Sequence, residues 1–493
     1  MRTVSGPTDR VVIVGAGLAG LSCALRLAAT GRSVTVLERS AAPGGVAGRL
    51  DLGGYAFDTG PTVLTMPELL AEAFAAVDEP LDGWLELSRL DPAYRAHFPD
   101  GSTLDVLTDT ARMAGEVSRV CGPREADGYL RFAAYAARLW RLQRDDFIER
   151  NFDSPRDLLT ANLLRLATAG GFRHLDAKVA QFFRDPRTRR VFSFQAMYAG
   201  LAPHRALALY AVIAYLDAIR GVWFPRGGMH AVPRAMAAAA TKHGVTVRYD
   251  TEVTSVGTGG GRANAVLTAT GERIPADVVV LSGDLPTAHR ELLPQTPRRI
   301  RRLRHSPSAV VLHAGSTRRY GRIAHHNIHF GRAWRATFDE VIHHGRLMTD
   351  PSLLVTNPTR TDPTLAPPDR EVYYVLAPAP NLDTGHLDWH GALPGRYADD
   401  LVATLESRGY VGFGSGIEVS RLVTPADWAA AGQTAGTPFS AAHTFPQTGP
   451  FRPGNLHPAL DNVVFAGAAT TPGVGVPMVL ISGKLAAQRV TGQ

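Results

Sequence analysis

The sequence of 493 residues predicts an α/β fold whose nucleotide-binding domain is assembled from three separated segments. A β-strand pattern near the start of the chain runs directly into G-A-G-L-A-G at residues 15–20, and a helical pattern follows. A second block, after Gly227 and Gly228, contains a helix and then further strands. Residues 449–493 return to the same pattern, with a strand, Gly467 and a helix. Because the blocks lie far apart in the sequence, the domain that they predict is discontinuous.

The first block is typical of a Rossmann-type βαβ unit. Gly15 permits a tight turn, Gly17 lets the backbone approach a pyrophosphate, and Gly20 lets the helix pack closely against the strand. The helix is expected at about residues 21–29, and its N-terminal N–H groups point at the phosphates. Glu38 stands eighteen residues after Gly20, where a carboxylate accepts hydrogen bonds from an adenosine ribose. The block predicts a bound dinucleotide, without saying which one.

Composition narrows the class of protein. A hydrophobic content of 45% and a charged content of 20% are ordinary for a globular enzyme. The net charge is +7, but the positive charge is dispersed, apart from an arginine run at residues 298–304. No aromatic residues are interleaved with this run for base stacking, which argues against nucleic acid as a partner. A solvated helix face and a contact with anionic lipid head groups both stay open for the run.

Three features bear on where the protein works. Cys23 and Cys121, the two cysteines, exclude a disulfide framework and suit a reducing compartment. The first residues lack the pattern of a signal peptide. The longest apolar helical stretch, residues 206–216, ends at Asp217 and is too short to cross a bilayer. We therefore expect a cytoplasmic protein whose contact with a membrane is peripheral.

The order of the patterns predicts five parts. Residues 1–66 begin the nucleotide-binding domain, and residues 67–222 are expected to be mostly helical, as a region that contacts substrate or membrane. The domain resumes at residues 223–298, a mixed α+β substrate-binding domain follows at residues 299–448, and residues 449–493 complete the nucleotide-binding domain. Three separated segments favour FAD, which needs contacts along its whole length. A nicotinamide dehydrogenase usually needs one contiguous Rossmann pair.

Beyond the first block, short motifs run in order through nearly the whole chain. The motifs are P-G-G at residues 43–45, F-D-T-G-P-T-V at 57–63, V-F-S-F at 191–194, G-V-W-F-P-R-G-G at 221–228, Y-Y-V-L-A-P at 373–378, F-R-P at 451–453 and P-G-V-G-V-P at 472–477. In these motifs the chain closely resembles the bacterial and fungal type of phytoene desaturase, a carotenoid-forming branch of the FAD-dependent amine-oxidase-like superfamily. The segment after Trp223 and the C-terminal turn are the most specific parts of the resemblance.

The resemblance implies FAD as the cofactor, a linear C40 isoprenoid hydrocarbon as the substrate, and successive dehydrogenations that lengthen a conjugated polyene. Because phytoene dissolves in lipid, it also implies a peripheral membrane protein, and we expect the helical block before Trp223 to make the contact. A quinone or oxygen is the expected electron acceptor. The residues that match the family's cofactor site are Gly15, Gly17, Gly20 and Glu38 for the ADP half, Gly44 and Gly45 for the pyrophosphate, Gly60, Val253 for a backbone contact to adenine, and Gly467, Gly475 and Val476 beside the flavin ring.

The chain departs from the family pattern at two positions. Related sequences commonly have an arginine directly after the Gly-Gly pair, where this chain has Val46. Phosphate binding then rests on backbone N–H groups, or Arg49 reaches in. The family's C-terminal turn often reads Thr-His-Pro-Gly, whereas here Thr471 precedes Pro472. We therefore expect no histidine at this turn to act as an acid or base.

Desaturation of an allylic CH–CH pair removes a hydride and a proton. The flavin takes the hydride when the carbon is held about 3–3.5 Å away, so positioning carries much of the catalysis. The resemblance places Arg173 where flavin and substrate meet, and a plain ion pair between helices is the other interpretation. The candidate wall residues of an apolar tunnel are Phe192, Phe194, Met197, Tyr198 and Trp223.

A group of histidines has the spacing of metal ligands. In a strand, however, at most two of His325, His326 and His329 share a face, and no cysteine or carboxylate is adjacent. A structural or surface role is expected for them, and no metal site is predicted. The same interpretation applies to His343 and His344.

Three other functions stay open. One is a related carotenoid oxidase, or an isomerase without net redox change. Another is a prenyl-binding carrier that shares the flavoprotein scaffold without its chemistry, although the complete segment from Gly467 to Pro477 argues against it. The third is an amine oxidase, for which the sequence offers no substrate-charge signal.

Overall fold

The computed structural model describes residues 1–493, apart from the side chain of Pro155. The strands are β1 (Arg10–Val14), β2 (Ser33–Leu37), β3 (Arg49–Leu52), β4 (Tyr55–Asp58), β5 (Leu87–Arg89), β6 (Tyr94–His97), β7 (Thr103–Val106), β8 (Trp223–Pro225), β9 (Thr246–Arg248), β10 (Val253–Gly259), β11 (Arg262–Thr268), β12 (Arg273–Pro275), β13 (Val278–Leu281), β14 (Ser308–Ser316), β15 (His326–His329), β16 (Leu353–Thr356), β17 (Glu371–Ala379), β18 (Ile417–Val423) and β19 (Val463–Phe465). The α-helices are α1 (Leu18–Ala28), α2 (Pro67–Ala75), α3 (Thr110–Cys121), α4 (Pro123–Gln143), α5 (Ala161–Thr168), α6 (Leu175–Val179), α7 (Pro186–Val191), α8 (Ala211–Ala214), α9 (Ala231–Lys242), α10 (Leu285–Glu291), α11 (Arg298–Arg301), α12 (Arg335–Ile342), α13 (Leu393–Ser407), α14 (Pro425–Ala430) and α15 (Val476–Thr491). Two π-helical turns lie at Arg144–Ile148 and Tyr215–Ile219.

The nucleotide-binding core is a sheet of five parallel strands in the order β19-β13-β1-β2-β9. Val12 of β1 stands beside Val279 of β13, and Val280 of β13 stands beside Val464 of β19. The strands are rich in buried β-branched residues, as a parallel sheet covered on both faces requires. They come from the start, the middle and the end of the chain. The predicted discontinuous α/β fold is confirmed.

The first helix packs against the last. α1 contacts both α15 and α9, and the Ser22 hydroxyl donates a hydrogen bond of 2.7 Å to the Leu480 carbonyl. A Cβ atom at Gly483 would lie only 2.4 Å from the Ala19 carbonyl oxygen, so glycine permits this close approach. α1 begins at Leu18, earlier than expected, because Gly17 is its N-cap. The helix therefore starts directly at the carboxyl end of β1.

A second large sheet of seven strands has the order β18-β14-β17-β16-β15-β6-β7. The segment at residues 67–222, expected to be mostly helical, supplies β6 and β7 to this sheet, and β5 from the same segment pairs with β8. Ile328 of β15 stands beside Ala96 of β6. Residues 87–106 are therefore an exception within the region that was expected to be mostly helical. Strands of three or four residues are too short to show a period-two pattern, and these strands are stabilised by pairing with distant parts of the chain.

Residues 107–222 are largely helical, and α4 packs against α3, α5 and α8. Rings from α4 and from the segment around α7 form a buried aromatic cluster in this region. Its members are Tyr129, Phe132, Phe183 and Phe192. In the part of the chain that the structure describes, no helix is both long and apolar enough to span a bilayer.

Candidate active site

A cavity of about 850 Å³ opens at the carboxyl ends of the parallel strands and continues into the helical region. Val14, Leu37 and Leu281, the last residues of β1, β2 and β13, all line it. We call this part the nucleotide end. The opposite part, the apolar end, is lined by Leu158, Leu163, Leu166, Phe172, Leu207, Leu209, Ile213 and Leu216. Ligands of open α/β sheets bind at the carboxyl edge of the strands, so the cavity lies where a dinucleotide is expected.

The three glycines of the first motif have three different surroundings. Gly15 has a φ of +102°, a conformation that side chains other than glycine rarely adopt. A Cβ atom at Gly20 would lie 2.3 Å from the Gly15 carbonyl oxygen, so this position holds the turn against the helix. A Cβ atom at Gly17 would have no neighbour within 4 Å and would project into open space at the cavity wall. Gly17 therefore leaves room for a ligand, whereas Gly20 leaves room for the protein itself.

The loop that carries Gly44 and Gly45 lies against this turn. The Gly44 N–H donates a 2.9 Å hydrogen bond to the Ala16 carbonyl, and a Cβ atom at Gly45 would lie 3.5 Å from the Gly17 Cα atom. The Glu38 side chain is buried and accepts hydrogen bonds from the N–H groups of Ala16, at 2.7 Å, and of Ser40, at 3.0 Å. The carboxylate thus fixes the turn and also lines the nucleotide end.

Two further predicted contacts line the same cavity from other segments. Val253 opens β10, and the nearby Thr251 N–H donates a 2.8 Å hydrogen bond to the Glu38 carbonyl, which ties the middle segment to the first. The Gly60 carbonyl accepts a 3.0 Å hydrogen bond from the Tyr374 hydroxyl. A side chain at Gly60 would collide with the Val46 backbone, because its Cβ atom would lie 2.0 Å from the Val46 carbonyl oxygen.

The C-terminal segment closes the cavity between its two ends. The Gly467 N–H donates a 3.0 Å hydrogen bond to the Ser482 hydroxyl of α15. Gly475 is the N-cap of α15 and Val476 its first residue, and both line the cavity. The N-terminus of α15 therefore faces the cavity, as that of α1 does, and two helix N-termini favour a bound anion.

The structure does not bring Arg49 or Arg173 to the cavity. Arg49 is exposed on β3, and its guanidinium pairs with Asp51 at 2.8 Å, so the expected reach toward a phosphate is not observed. Arg173 is exposed as well, and its carbonyl accepts a 2.7 Å hydrogen bond from the Ala208 N–H. Its neighbour Phe172 lines the apolar end instead. No ion pair among the described residues involves Arg173, so the alternative interpretation as an ion pair is not observed either.

One of the five residues expected to line the tunnel lines the cavity, and the other four lie elsewhere. Tyr198 lines the cavity. Phe192 belongs to the buried aromatic cluster, Phe194 packs against Tyr94 and Phe330, and Trp223 lies under the Arg89 guanidinium at 5.5 Å. Met197 precedes Tyr198 and lies outside the lining. Most of these aromatic residues stabilise the fold rather than form the tunnel.

The three histidines of residues 325–329 are buried and bonded to neutral groups, whereas His343 and His344 are exposed. His326 accepts or donates a 2.9 Å hydrogen bond at the Thr356 hydroxyl, and His329 does so at the Tyr410 hydroxyl, also at 2.9 Å. Burial lowers the pKa of His326 to about 3, so its ring is neutral. His343 and His344 lie at the end of α12, where His343 stands 3.8 Å from Asp339. No group of three or more His, Cys, Asp or Glu residues in the described chain could hold a metal ion.

Three residues at or beside the cavity received no role in the sequence analysis, although one of them, Arg452, lies in the F-R-P motif at residues 451–453. His443 lines the cavity and packs against the C-terminal turn, where a Cβ atom at Gly473 would lie 2.2 Å from its Cε1 atom. The turn itself contains no histidine, but His443 of another segment places its imidazole ring beside it, which was not foreseen from the sequence. Burial lowers the pKa of His443 well below the usual value. Arg452 is buried and donates hydrogen bonds to the carbonyls of Thr470, at 3.1 Å, and of Ala441, at 3.1 Å, which fixes the same turn.

The third such residue is Asp217, which lines the cavity and is only 2% exposed. The sequence carried a signal for it, since Asp217 interrupts the longest apolar stretch of the chain. No sequence pattern, however, indicates what His443 or Arg452 contacts.

The geometry is that of a dinucleotide-binding protein, with backbone N–H groups and two helix N-termini beside an apolar chamber, and its match to a flavin-containing family makes it a flavoprotein. Residues 18–491 match the family model of flavin-containing amine oxidoreductases, and the chain belongs to that family. It is an oxidoreductase, and its cofactor is FAD. The turn formed by Gly15, Gly17, Gly44 and Gly45, which we call the glycine cradle, fits that group at the nucleotide end.

Relatives and solved structures refine this assignment. The chain is 58% identical to a phytoene dehydrogenase of Streptomyces griseus, over 100% of this chain and 97% of the relative. It is 38% identical to a zeta-carotene-forming phytoene desaturase of Myxococcus xanthus, over 98% of this chain and 93% of the relative. The resemblance noted from the motifs is confirmed. Cyclohexylamine oxidase from Brevibacterium oxydans shares the fold, with a TM-score of 0.59 and 14% identity over 99% of each chain.

Proposed function

We propose that this chain is an FAD-dependent phytoene desaturase of carotenoid biosynthesis, which lengthens the conjugated polyene of phytoene toward products such as lycopene. The observation that supports this proposal most strongly is the continuity of one cavity, from the glycine cradle to a wall of aliphatic and aromatic side chains. A long hydrocarbon offers no groups for hydrogen bonds, so its recognition rests on apolar burial and shape. The apolar end supplies such a surface.

The roles of this chain's residues follow from their places. When bound, FAD supplies hydride acceptance, which is the redox chemistry of the reaction. Gly15, Gly17, Gly44 and Gly45 would hold the pyrophosphate through the backbone, and Glu38 the ribose. Val253 would contact the adenine. The side chains of the apolar end exclude water and hold the substrate carbon at reacting distance. Gly467, Gly475 and Val476 would lie beside the flavin ring, and Gly60 would also line the cofactor site.

The test is incubation of the FAD-loaded protein with phytoene in liposomes, with either a quinone or oxygen as the proposed electron acceptor. We expect phytoene to disappear while products with longer conjugated systems, and hence longer-wavelength absorbance, accumulate. Anaerobic incubation with and without a quinone distinguishes the acceptors. Consumption of phytoene without any longer conjugated product would contradict desaturation. Failure of the protein to bind FAD would instead support a carrier.

We further propose that the protein docks on an anionic membrane through the surface around the opening of its apolar end. Large apolar side chains are exposed there: Leu159 (80%), Leu164 (69%), Phe445 (58%), Phe451 (43%) and Phe172 (41%). We call these residues the apolar rim. Phe172, Phe445 and Phe451 also line the cavity, so the rim is continuous with its interior. Exposed apolar patches of this kind mark contacts with other apolar surfaces.

The arginine run lies beside this rim. The side chain of Arg299 donates a hydrogen bond to the Phe451 carbonyl, and the Arg304 N–H donates one of 2.8 Å to Gln447 in the same loop. The five arginines of residues 298–304 are exposed, and none forms an ion pair within the described chain. Basic residues near a bilayer surface contribute about 1 kcal/mol each to binding of anionic lipids. The rim and the run together suit a bilayer with negative head groups.

The membrane proposal predicts that Arg301→Glu/Arg302→Glu weakens cosedimentation with vesicles of anionic phospholipid by about tenfold or more, since two contacts of about 1 kcal/mol each are lost and reversed. Arg124→Glu/Arg396→Glu is the matched control, because it makes the same change in charge at exposed positions outside the cavity lining. Binding should also fall as salt is raised. Equal binding of both double variants to the vesicles would contradict the proposed surface.

A further inference from the structure

Asp217 is an acidic group in an otherwise apolar part of the cavity. It lies in the π-helical turn Tyr215–Ile219, between the apolar side chains of Leu216 and Ala218. Its side chain lines the cavity and is 2% exposed. π-helical turns inside helical segments are often found at functional sites. Burial of a carboxyl group in apolar surroundings costs free energy. A buried carboxyl group that lines a cavity is therefore a candidate functional residue.

Only one of the two carboxyl oxygens of Asp217 has a hydrogen-bond partner in the part of the chain that the structure describes. The Tyr94 hydroxyl donates a long hydrogen bond of 3.5 Å to Oδ2, whereas Oδ1 has no hydrogen-bond partner among the described residues. No cation in the described chain forms an ion pair with Asp217. Tyr198, which also lines the cavity, has a buried hydroxyl that is likewise without a partner in this set. The Gln195 side chain and the N–H groups of Asp217 and Ala218 also favour the ionised carboxylate, but none of them forms a hydrogen bond to Oδ1. Since most buried polar atoms have a partner, Oδ1 is left for a group that enters the cavity.

We propose that Asp217 is the general base of the dehydrogenation, and this proposal rests on the proposed desaturase function. One substrate C–H bond breaks with its electron pair, and the hydride goes to the flavin. The adjacent C–H bond also breaks, its electron pair forms the new C=C bond, and its proton goes to Asp217 Oδ1. The electrons leave the flavin for the acceptor, and Asp217 releases its proton before the next turnover. Atoms and charge therefore balance for each double bond formed.

The pKa shifts of Asp217 and of the titratable groups around it agree with this role. Burial raises the pKa of Asp217 well above its usual value, which makes its carboxylate a stronger base than an exposed one. His443, the other cavity-lining candidate, has its pKa lowered by burial and is the weaker base. Burial raises the pKa of Tyr94 and of Tyr198, and it lowers that of His326, whose ring lies 5.5 Å from that of Tyr94. Tyr94, Tyr198 and His326 stay neutral near pH 7. Among these neighbouring groups, Asp217 is therefore the one that titrates.

The sign of the pH dependence follows. A base works in its ionised form, and a raised pKa means that Asp217 is protonated until the pH rises through that value. The rate of flavin reduction by phytoene should therefore increase with pH and then level off. In Asp217→Asn this rise should disappear, and the rate should fall by about 100-fold or more, the usual contribution of a general base.

The experiment is anaerobic stopped-flow reduction of the FAD-loaded protein by phytoene in liposomes, across a pH series. Asp145→Asn is the matched control, since Asp145 is 85% exposed and lies outside the cavity lining. The FAD dissociation constant and the thermal unfolding temperature of Asp217→Asn should equal those of the wild type. As a readout apart from turnover, the infrared band of a protonated carboxyl group should titrate in the wild-type protein and be missing in Asp217→Asn.

A rate for Asp217→Asn within threefold of the wild type, with the pH profile kept, would overturn the proposal while leaving the desaturase function intact. Loss of the rate in His443→Gln but not in Asp217→Asn would overturn it in favour of His443. If Asp217→Asn does not fold, Asp217→Glu decides: the rate should survive with a shifted pH profile, and an unshifted profile would contradict the role. Absence of desaturation by the wild type itself would refute the proposed function rather than this assignment alone.

Discussion

At the nucleotide end of the cavity several glycines expose bare backbone, whereas the apolar end is lined by bulky side chains from distant segments. Gly15, Gly17 and Gly44 shape the first end through their conformations and through the absence of side chains. Leu166, Ile213 and similar residues shape the second end through their bulk. The difference teaches where substitutions should act. Changes at the glycines should affect folding or cofactor binding, and changes at the apolar end should affect the substrate alone.

The largest expected effect is that of Gly20→Ala, which tests whether the glycine turn at the nucleotide end tolerates an added methyl group. Its Cβ atom would lie 2.3 Å from the Gly15 carbonyl oxygen and 2.6 Å from the Ser282 hydroxyl oxygen. Overpacking against backbone that cannot move lowers the free energy of unfolding by about 3 kcal/mol. Chemical denaturation of the apoprotein measures this change, and FAD binding should be lost with it.

Gly17→Val is the matched comparison at the same turn. The position is open within 4 Å, so the apoprotein should still fold, with about 1 kcal/mol lost from its free energy of unfolding because valine is a poorer N-cap of α1 than glycine. The side chain would occupy the space proposed for the pyrophosphate, and loss of about 1.5–3 kcal/mol of charged hydrogen bonding weakens FAD binding by roughly 10- to 100-fold. Normal retention of FAD by this variant would contradict the proposed position of the pyrophosphate.

Ile213→Trp tests the other end of the comparison. Ile213 lines the apolar end from α8, and a tryptophan there would fill part of the space proposed for the hydrocarbon. FAD binding should be unchanged, while desaturation should slow by about 100-fold, because a displacement of about 1 Å from the reacting geometry costs that much. Flavin absorbance and the rate of phytoene consumption measure the two quantities separately. Ile213→Leu, of equal volume, is the control, and weaker FAD binding by Ile213→Trp would mean that the two ends are not independent.

The same division explains what the sequence could predict. The glycine motif, Glu38 and Gly467 are local patterns, because their function depends on turns and helix starts formed by neighbouring residues. The order of segments along the chain was also enough to predict a discontinuous sheet. In contrast, the pairing of β6 with β15 joins residues more than two hundred positions apart, and it leaves no mark in either strand.

The apolar end could be predicted only as a type of surface. Of the four aromatic residues and one methionine proposed for its wall, only Tyr198 lines the cavity. A buried aromatic side chain has the same sequence pattern whether it faces a core or a cavity, so burial alone does not separate the two. His443 illustrates the same limit, since it reaches the C-terminal turn from thirty residues away through tertiary packing. Asp217 carries a sequence signal, since it is an acidic residue directly after an apolar stretch, but that signal alone did not assign it to the site.

The smallest expected effect is that of Arg49→Ala. This variant decides whether the charge of a side chain contributes to FAD binding at the nucleotide end. Arg49 is exposed and paired with Asp51 two residues away, at 2.8 Å. An exposed pair of this kind contributes less than about 1 kcal/mol to stability. If the pyrophosphate is held by backbone N–H groups and helix N-termini, the FAD dissociation constant of this variant should stay within about twofold of the wild-type value, a difference below about 0.5 kcal/mol. Titration of the apoprotein with FAD, followed by flavin fluorescence, measures it. A tenfold weaker binding would show that Arg49 moves to the phosphate when FAD binds, and that the nucleotide end also depends on a side chain.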